Sequence, residues 1–481
     1  MDPADQNATA TRSVLSSFYE TLVQFDEFGH IRPQLATDWS SSADGLEWRF
    51  HIRPNVFFHD GLPCDVDAVT ASFRRLLDLA IPLAGAGVSR TVIRSVRQDG
   101  GSIVFTLKHP YADFLPLLTM TQTAVVSPEA ARNGTLALHA VGTGPYVFEA
   151  WHSGDDVLTH RNPAYWGQAA SFDGLKWIWS SEPSVLNMAL QTGDADVVVP
   201  LSPVFANLYR EQGHAAQVAS VHASPGATLF WAALNMHLKP LDDARVRRAL
   251  SLALDRTALV AGLLHGYGQP ACSALTPDIH GALPCGVNEA HADLSAARAL
   301  LKTAGLENGF SIIAVVQEPE EPMAEAIQAM WKQIGVRLEI RRQEAGVWVQ
   351  SAFAPPDVKA HEQTGVILTS WSAPFLADMQ LRPIYASASA APQSANLGFF
   401  ADLSLDALID RAAGSEEAAQ RQATLKEIQI LLKQQVPVLP LYVADTLYGV
   451  RKGVEGVSAG PDGEILVLKA RASGSGPERA P

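Results

Sequence analysis

Cysteine is scarce in this chain: only Cys64, Cys272 and Cys285 occur among 481 residues. None belongs to a metal-type CxxC pair. Cys272 and Cys285 flank a loop containing Pro277, Gly281 and Pro284. That arrangement is open either to a disulfide in an oxidising compartment or to two reduced thiols, with Cys64 left unpaired. Long apolar runs are missing as well, since no stretch of 18 apolar residues occurs, and this excludes an ordinary membrane-spanning helix. Basic residues are in deficit, 36 Lys and Arg against 50 Asp and Glu, for a formal net charge of −14. A general nucleic-acid binder needs a basic face, so nucleic acid is not an expected partner; the acidic balance favours solubility without naming a ligand. Catalytic fingerprints are absent too: there is no GxSxG elbow, HExxH pair, P-loop or GxGxxG turn. The 14 histidines are scattered without metal-type spacing, so neither a metal nor a cofactor is expected.

What is present is an ordinary globular composition, 47% hydrophobic and 18% charged. The length predicts two or three domains. Met1-Asp2-Pro3 leads into polar residues with no basic-then-apolar segment, so this sequence shows no secretory signal. That is expected of a cytoplasmic chain or of a mature or trimmed form.

Strand and helix patterns alternate along the chain, which predicts α/β layers. Residues 14–22 have helical character. Residues 48–52 and 102–107 read as strands, and Asp65 is a suitable N-cap for a helix carrying Phe73, Leu76 and Leu77. A helix over 184–190 precedes an apolar strand at 197–199. Beyond Asn235 the helices become longer and amphipathic: Val246, Ala249, Leu250, Ala253 and Leu254 share one face. Helices at 294–304 and 323–334 end at Gly305 and Gly335. Strands follow at 336–340 and 366–369. A final helix over 418–435 is stopped by Pro437, and a strand runs over 438–443. From residue 472 the composition predicts a disordered tail.

Several short motifs stand in a defined order. Tyr19-Glu20-Thr21-Leu22 precedes Pro33-Gln34-Leu35-Ala36, Trp39, Asp44-Gly45-Leu46-Glu47-Trp48 and Arg53-Pro54-Asn55-Val56-Phe57-Phe58-His59-Asp60-Gly61. Val141-Gly142-Thr143-Gly144-Pro145-Tyr146 and Arg161-Asn162-Pro163-Ala164-Tyr165-Trp166-Gly167 follow. Leu234-Asn235-Met236 then leads into Pro240-Leu241-Asp242-Asp243-Ala244-Arg245, and Val436-Pro437-Val438-Leu439-Pro440-Leu441-Tyr442 comes late. Each motif alone is weak, but the ordered set over roughly residues 14–455 resembles the extracytoplasmic solute-binding proteins of ABC transporters, the peptide/nickel/opine-binding family. Read from the residues, most of these positions are structural. Gly61, Gly142 and Gly144 suit turns, Trp39, Trp48, Phe57 and Tyr146 suit cores, and His59-Asp60 suits a turn rather than a metal or acid–base pair.

The resemblance implies an α/β, two-lobed periplasmic-binding-protein-like (class II) fold with an extra subdomain and a two-strand hinge. Lobe I would comprise 1–36, 140–235 and 446–471, with 37–139 as the subdomain and 236–445 as lobe II. The hinge strands would lie near 228–235 and 438–443. It also implies a missing first strand and signal upstream of Asp2-Pro3, a periplasmic location, and a monomer delivering its solute to an ABC permease dimer. Expected ligand contacts are Trp371 and Ser370 in the Ser370-Trp371-Ser372-Ala373-Pro374 run, with Tyr19, Arg12, Phe230, Trp231, Asp378 and Arg382 as further candidates.

Departures from the family pattern narrow the ligand. Dipeptide binders hold the peptide amine with an acid soon after the cleft tryptophan, where this chain has Pro374. They hold the carboxylate with an arginine just before the helix that opens here near Met323, where this chain has Glu318-Pro319-Glu320-Glu321-Pro322. The Trp371-Ser372-Ala373-Pro374 run is closer to nickel and metal-chelate binders, but no histidine occurs after His361. The expected ligand is thus a small peptide, an opine-like metal chelate or a related small polar solute; Glu320 and Glu321 fit a cationic group and fit an exposed acidic loop equally well. A hydrolytic enzyme or a solute-sensing domain on the same scaffold is the competing reading.

Overall fold

The structure, a computed structural model, describes residues 1–6, 9–26, 29–210, 213–415, 417–460 and 463–473. The chain divides into two compact units, residues 1–224 with 446–481, and residues 225–445.

In the first unit, α1 (Thr9–Leu15) ends well before Leu22. Residues 16–22 turn instead, because their carbonyls are claimed elsewhere: Phe18 O accepts from Gly144 N–H (2.8 Å), Ser17 O from Tyr146 N–H (3.1 Å) and Glu20 O from Val125 N–H (2.9 Å). Strands β1 (Ala36–Ser41), β2 (Glu47–Ile52), β3 (Ile93–Asp99) and β4 (Ser102–Leu107) form an antiparallel sheet in the order β1-β2-β4-β3. Helix α2 (Val66–Leu77) is capped by Asp65, which accepts from Ala68 N–H at 3.0 Å. Phe73 of that helix meets Phe105 edge to face at 4.8 Å. Of the four aromatics expected in cores, Tyr146 is fully buried and Trp39 and Trp48 pack against Phe50 and Phe114, but Phe57 is 47% exposed. A second antiparallel sheet joins β5 (Tyr146–His152), β6 (Asp156–Arg161) and β7 (Lys176–Ile178).

The chain leaves this unit inside one long strand, β9 (Ala219–Leu234), after passing the short strand β8 (Val197–Val198). It returns inside another, β14 (Val438–Arg451), which pairs with β8 through Val197–Val450 and Val198–Gly449. Both strands are longer than the segments expected at 228–235 and 438–443, and the unit boundaries fall at 224/225 and 445/446.

The second unit is built on a mixed sheet in the order β14-β9-β13-β11-β12. Its other strands are β10 (Gly268–Pro270, paired to β14), β11 (Phe310–Gln317), β12 (Val336–Gln343) and β13 (Thr364–Ser372). The β11–β12 and β11–β13 pairs are parallel. Alternation sends neighbouring side chains to opposite faces, and both faces are covered, as expected of a sheet with parallel strands. Ala232, Leu234, Ala314, Val316, Val366 and Leu368 pack beneath α3 (Ala244–Leu252), α4 (Arg256–Leu264), α5 (Leu294–Thr303) and α6 (Glu321–Lys332). Leu229, Trp231, Ala233, Val315 and Ile367 pack beneath α7 (Ala377–Tyr385), α8 (Leu403–Gly414) and α9 (Ala418–Gln435). Cys272 and Cys285 are bridged, and Cys64 is free and buried. The expected tail lies mostly outside the described residues, but Arg471–Ala472 forms a strand with Val454–Glu455.

Candidate functional site

Parallel β11 and β13 end at the same edge of the second unit's sheet, and open α/β sheets bind ligands beyond such carboxyl ends. Burial along β13 is continuous from Thr364 to Leu368 and then gives way from Thr369 to Ser372, so the strand emerges from the core where Ser370 and Trp371 stand. Antiparallel β9 brings Phe230 opposite Ser370 and Leu229 opposite Trp371. Phe230 stacks on Tyr442 of β14, with ring centroids 4.8 Å apart. Glu320 lies in the turn after β11, near enough to Tyr442 for its charge to act on the phenol. Burial raises the Glu320 carboxyl above its ordinary value, and its Oε2 is shielded without a hydrogen-bond partner. Burial, and after it the Glu320 charge, pushes the Tyr442 phenol up. A half-buried carboxylate near a stacked aromatic pair suits an ammonium or guanidinium group.

Trp371 is fixed rather than free to swing, because its indole N–H donates to Met379 O at 2.9 Å. The loop beyond it is pinned by Asp278, whose Oδ2 accepts from Phe375 N–H at 2.8 Å. Phe375 has φ +61°, a conformation a non-glycine residue adopts only when its surroundings impose it. Burial holds the Asp278 carboxyl above its usual range.

The other candidates are placed differently. Trp231 is 1% exposed within the core, because strand alternation turns it to the face opposite Phe230. Asp378 and Arg382 pair with each other (2.8 Å) one turn apart on α7, and Arg382 also reaches Asp410 at 2.8 Å. In the first unit, Arg12 lies on α1. Tyr19 is 4% exposed, and its hydroxyl accepts from Val141 N–H at 3.2 Å.

Beside Tyr19, Glu20 is buried and accepts from Thr143 Oγ1 (2.8 Å), Tyr165 Oη (2.8 Å) and Trp166 Nε1 (2.7 Å). Burial outweighs these bonds and raises its carboxyl. A Cβ on Gly144 would lie 2.7 Å from Phe18 C and Ser17 O, which explains the glycine there. His59 occupies a turn, as expected: Nε2 lies 3.0 Å from Gly144 O, and Asp60 accepts from Leu62 N–H at 3.1 Å. These motifs hold the fold together. Tyr442 and Asp278 went unmarked in the sequence because an aromatic in an apolar strand and an acid in a loop carry no distinguishing pattern. Among the described residues, Cys272, Cys285 and Glu289 come close enough to share a metal. The two sulfurs are bonded to each other, however, and Glu289 pairs with Lys433 at 2.8 Å.

Two α/β units linked by two long strands, with polar and aromatic groups gathered at a sheet's carboxyl edge, define a binding protein for small solutes. The model of the bacterial extracellular solute-binding proteins, family 5 (middle), matches residues 30–392, and the chain belongs to this family. It is similar to the glutathione-binding protein GsiB of Shigella flexneri serotype 5b (strain 8401), 28% identical over 471 residues, covering 96% of this chain and 90% of that protein. Its fold is that of the dipeptide-binding protein from Pseudoalteromonas sp. SM9913 in complex with Met-Leu (TM-score 0.82, 23% identity, 98% of this chain and 97% of that one). It is also that of NikA from Brucella suis in complex with Fe(III)-EDTA (TM-score 0.84, 22% identity, 98% and 97%). Proteins of this family bind solutes for ABC importers, and this chain has the substrate-binding role.

Proposed function

We propose that this protein captures a small peptide or peptide-like solute bearing a free amine and hands it, chemically unchanged, to an ABC permease. The carrying observation is Glu320, a carboxylate with one shielded, unpartnered oxygen near the Phe230–Tyr442 stack at the carboxyl edge of β11 and β13. An ammonium group seated there gains a charge-assisted hydrogen bond, and Trp371 supplies a flat apolar wall. Lobe I is assigned to 1–36, 140–235 and 446–471, the subdomain to 37–139 and lobe II to 236–445. The solute sits at the carboxyl edge of β11 and β13, with Ser370, Trp371 and Phe230 as its contacts. The protein works as a monomer in the periplasm and takes no cofactor.

Glutathione, an amine-bearing tripeptide and the solute named for the GsiB relative, is the first ligand to test. A dipeptide and a nickel–histidine chelate are the comparators. Calorimetry should show one-to-one binding of an amine-bearing solute, weakened roughly tenfold or more by Glu320→Gln. Mass spectrometry of ligand released from natively purified protein should recover an unaltered molecule. A chemically changed product, or full affinity in Glu320→Gln, overturns the reading.

A further inference from the structure

A second pocket lies wholly within residues 225–445, between the end of α3, the start of α4, the disulfide loop and α9. Its wall has a charge balance opposite to that of the protein. Arg256, the first residue of α4, is 4% exposed. Its guanidinium donates to Pro440 O (2.8 Å), Ser251 O (3.2 Å) and Ser251 Oγ (3.1 Å), all neutral acceptors. One N–H on each terminal nitrogen is left over. No carboxylate pairs with it among the described residues, and burial lowers its pKa to about 10. Glu289 acts on it only through space and is itself bonded to Lys433, and a buried cation compensated only in part is costly to maintain.

Tyr385, at the end of α7, also lines this pocket. It is 1% exposed, and its hydroxyl has no hydrogen-bond partner, although buried hydroxyls are nearly always paired. Glu289 and Lys433 neutralise each other at 2.8 Å. Arg248 stands exposed on the same wall and has no ion-pair partner among the described residues. The wall therefore gathers two guanidinium groups and the Lys433 ammonium against the carboxylate of Glu289, beside a tyrosine whose hydroxyl is idle, in a chain whose formal net charge is −14.

We propose that this pocket binds a small oxyanion, a carboxylate or phosphate group, held by the Arg256 guanidinium and the Tyr385 hydroxyl with Arg248 adding charge. An oxyanion completes the compensation of these cations and accepts from the idle donors at once. This site shares no residue with the Glu320 edge, and its occupancy is independent of the transported solute.

The test is calorimetric titration of full-length protein with inorganic phosphate and, separately, with malonate, at pH 7 and low ionic strength. Saturable one-to-one binding of either probe is expected, and the preferred probe assigns the oxyanion class. Tyr385→Phe should weaken binding about tenfold, and Arg256→Gln should abolish it. Glu289→Gln should tighten binding several-fold by removing the one carboxylate that lines the pocket among the described residues, a gain that mere damage to the fold does not produce. If neither probe binds saturably, or if Tyr385→Phe and Glu289→Gln both bind as the unaltered protein does, the site does not exist.

Discussion

The Nε2 atom of His59 lies 3.0 Å from the carbonyl oxygen of Gly144, and Gly142 donates its N–H to Nδ1 at 3.4 Å. Accepting at Nδ1 and donating at Nε2 is the pattern of a neutral ring. Burial holds the imidazole at a pKa of about 4. Between that value and an unfolded value near 6.5, the unfolded chain binds a proton that the folded chain does not. Stability is therefore full above about pH 6.5 and is lost as pH falls toward 4, by roughly 2–3 kcal/mol from this group. Denaturant unfolding at several pH values should show this loss in the unaltered protein and a smaller one in His59→Gln.

Lys359 presents a related case with a different window. It is fully buried, its Nζ donates to Leu397 O at 2.8 Å, and it lies 4.6 Å from the centre of the Phe399 ring. Burial lowers its pKa to about 7. From there to the unfolded value near 10.4, the unfolded chain holds the extra proton, so stability rises with pH by at most about 1.4 kcal/mol per unit. Relative to Lys359→Met, the unaltered protein should gain stability between pH 7 and 10. A constant difference across that range would contradict the assignment.

Glu20 is the acceptor for four side-chain donors from three separate motifs, Gln34 Nε2 (3.5 Å) joining Thr143, Tyr165 and Trp166. Glu20→Ala should destabilise the protein by roughly 3 kcal/mol or more, since buried donors are left unmet. Glu20→Gln, which keeps one acceptor oxygen, should cost less. Equal stabilities of the two variants in urea titrations would argue against the network.

The Cys272–Cys285 bridge closes a loop of sequence separation 13. The same loop is held by Gln429, which accepts from Ser273 Oγ (2.7 Å) and Leu283 N–H (2.8 Å) and donates to Gly281 O (2.9 Å). Replacing both cysteines by serine should cost about 2–3 kcal/mol, near the lower part of the range for disulfides. Far-UV circular dichroism should stay unchanged at 25 °C.

The sequence made the long helices legible because their stops are chemical. Helix α9 spans Ala418–Gln435 with Pro437 beyond it, and α5 ends at Thr303 with Gly305 at φ +73°. It misjudged 14–22, where distant partners at Gly144, Tyr146 and Val125 outcompete a helix for the backbone. It also undersized β9, which runs back through Pro225 and Gly226 to Ala219, with Gly226 placed where a Cβ would collide with Ala444. At the site, Trp371 and Glu320 were visible as an aromatic and as a charge out of place. The Phe230–Tyr442 stack and the Arg256–Tyr385 wall join residues more than a hundred positions apart, and no local pattern announces such pairs.

The Ile465 N–H donates to Ser13 Oγ at 3.0 Å, a bond that ties the chain's last described segments to its first helix. On the ribosome, the second unit can assemble as soon as its own continuous stretch has emerged. The first closes its early sheets by itself, but β8 waits for its partner on β14 and Ser13 for its donor at Ile465. A stop codon near residue 445 would leave β8 and Ser13 without those closing partners.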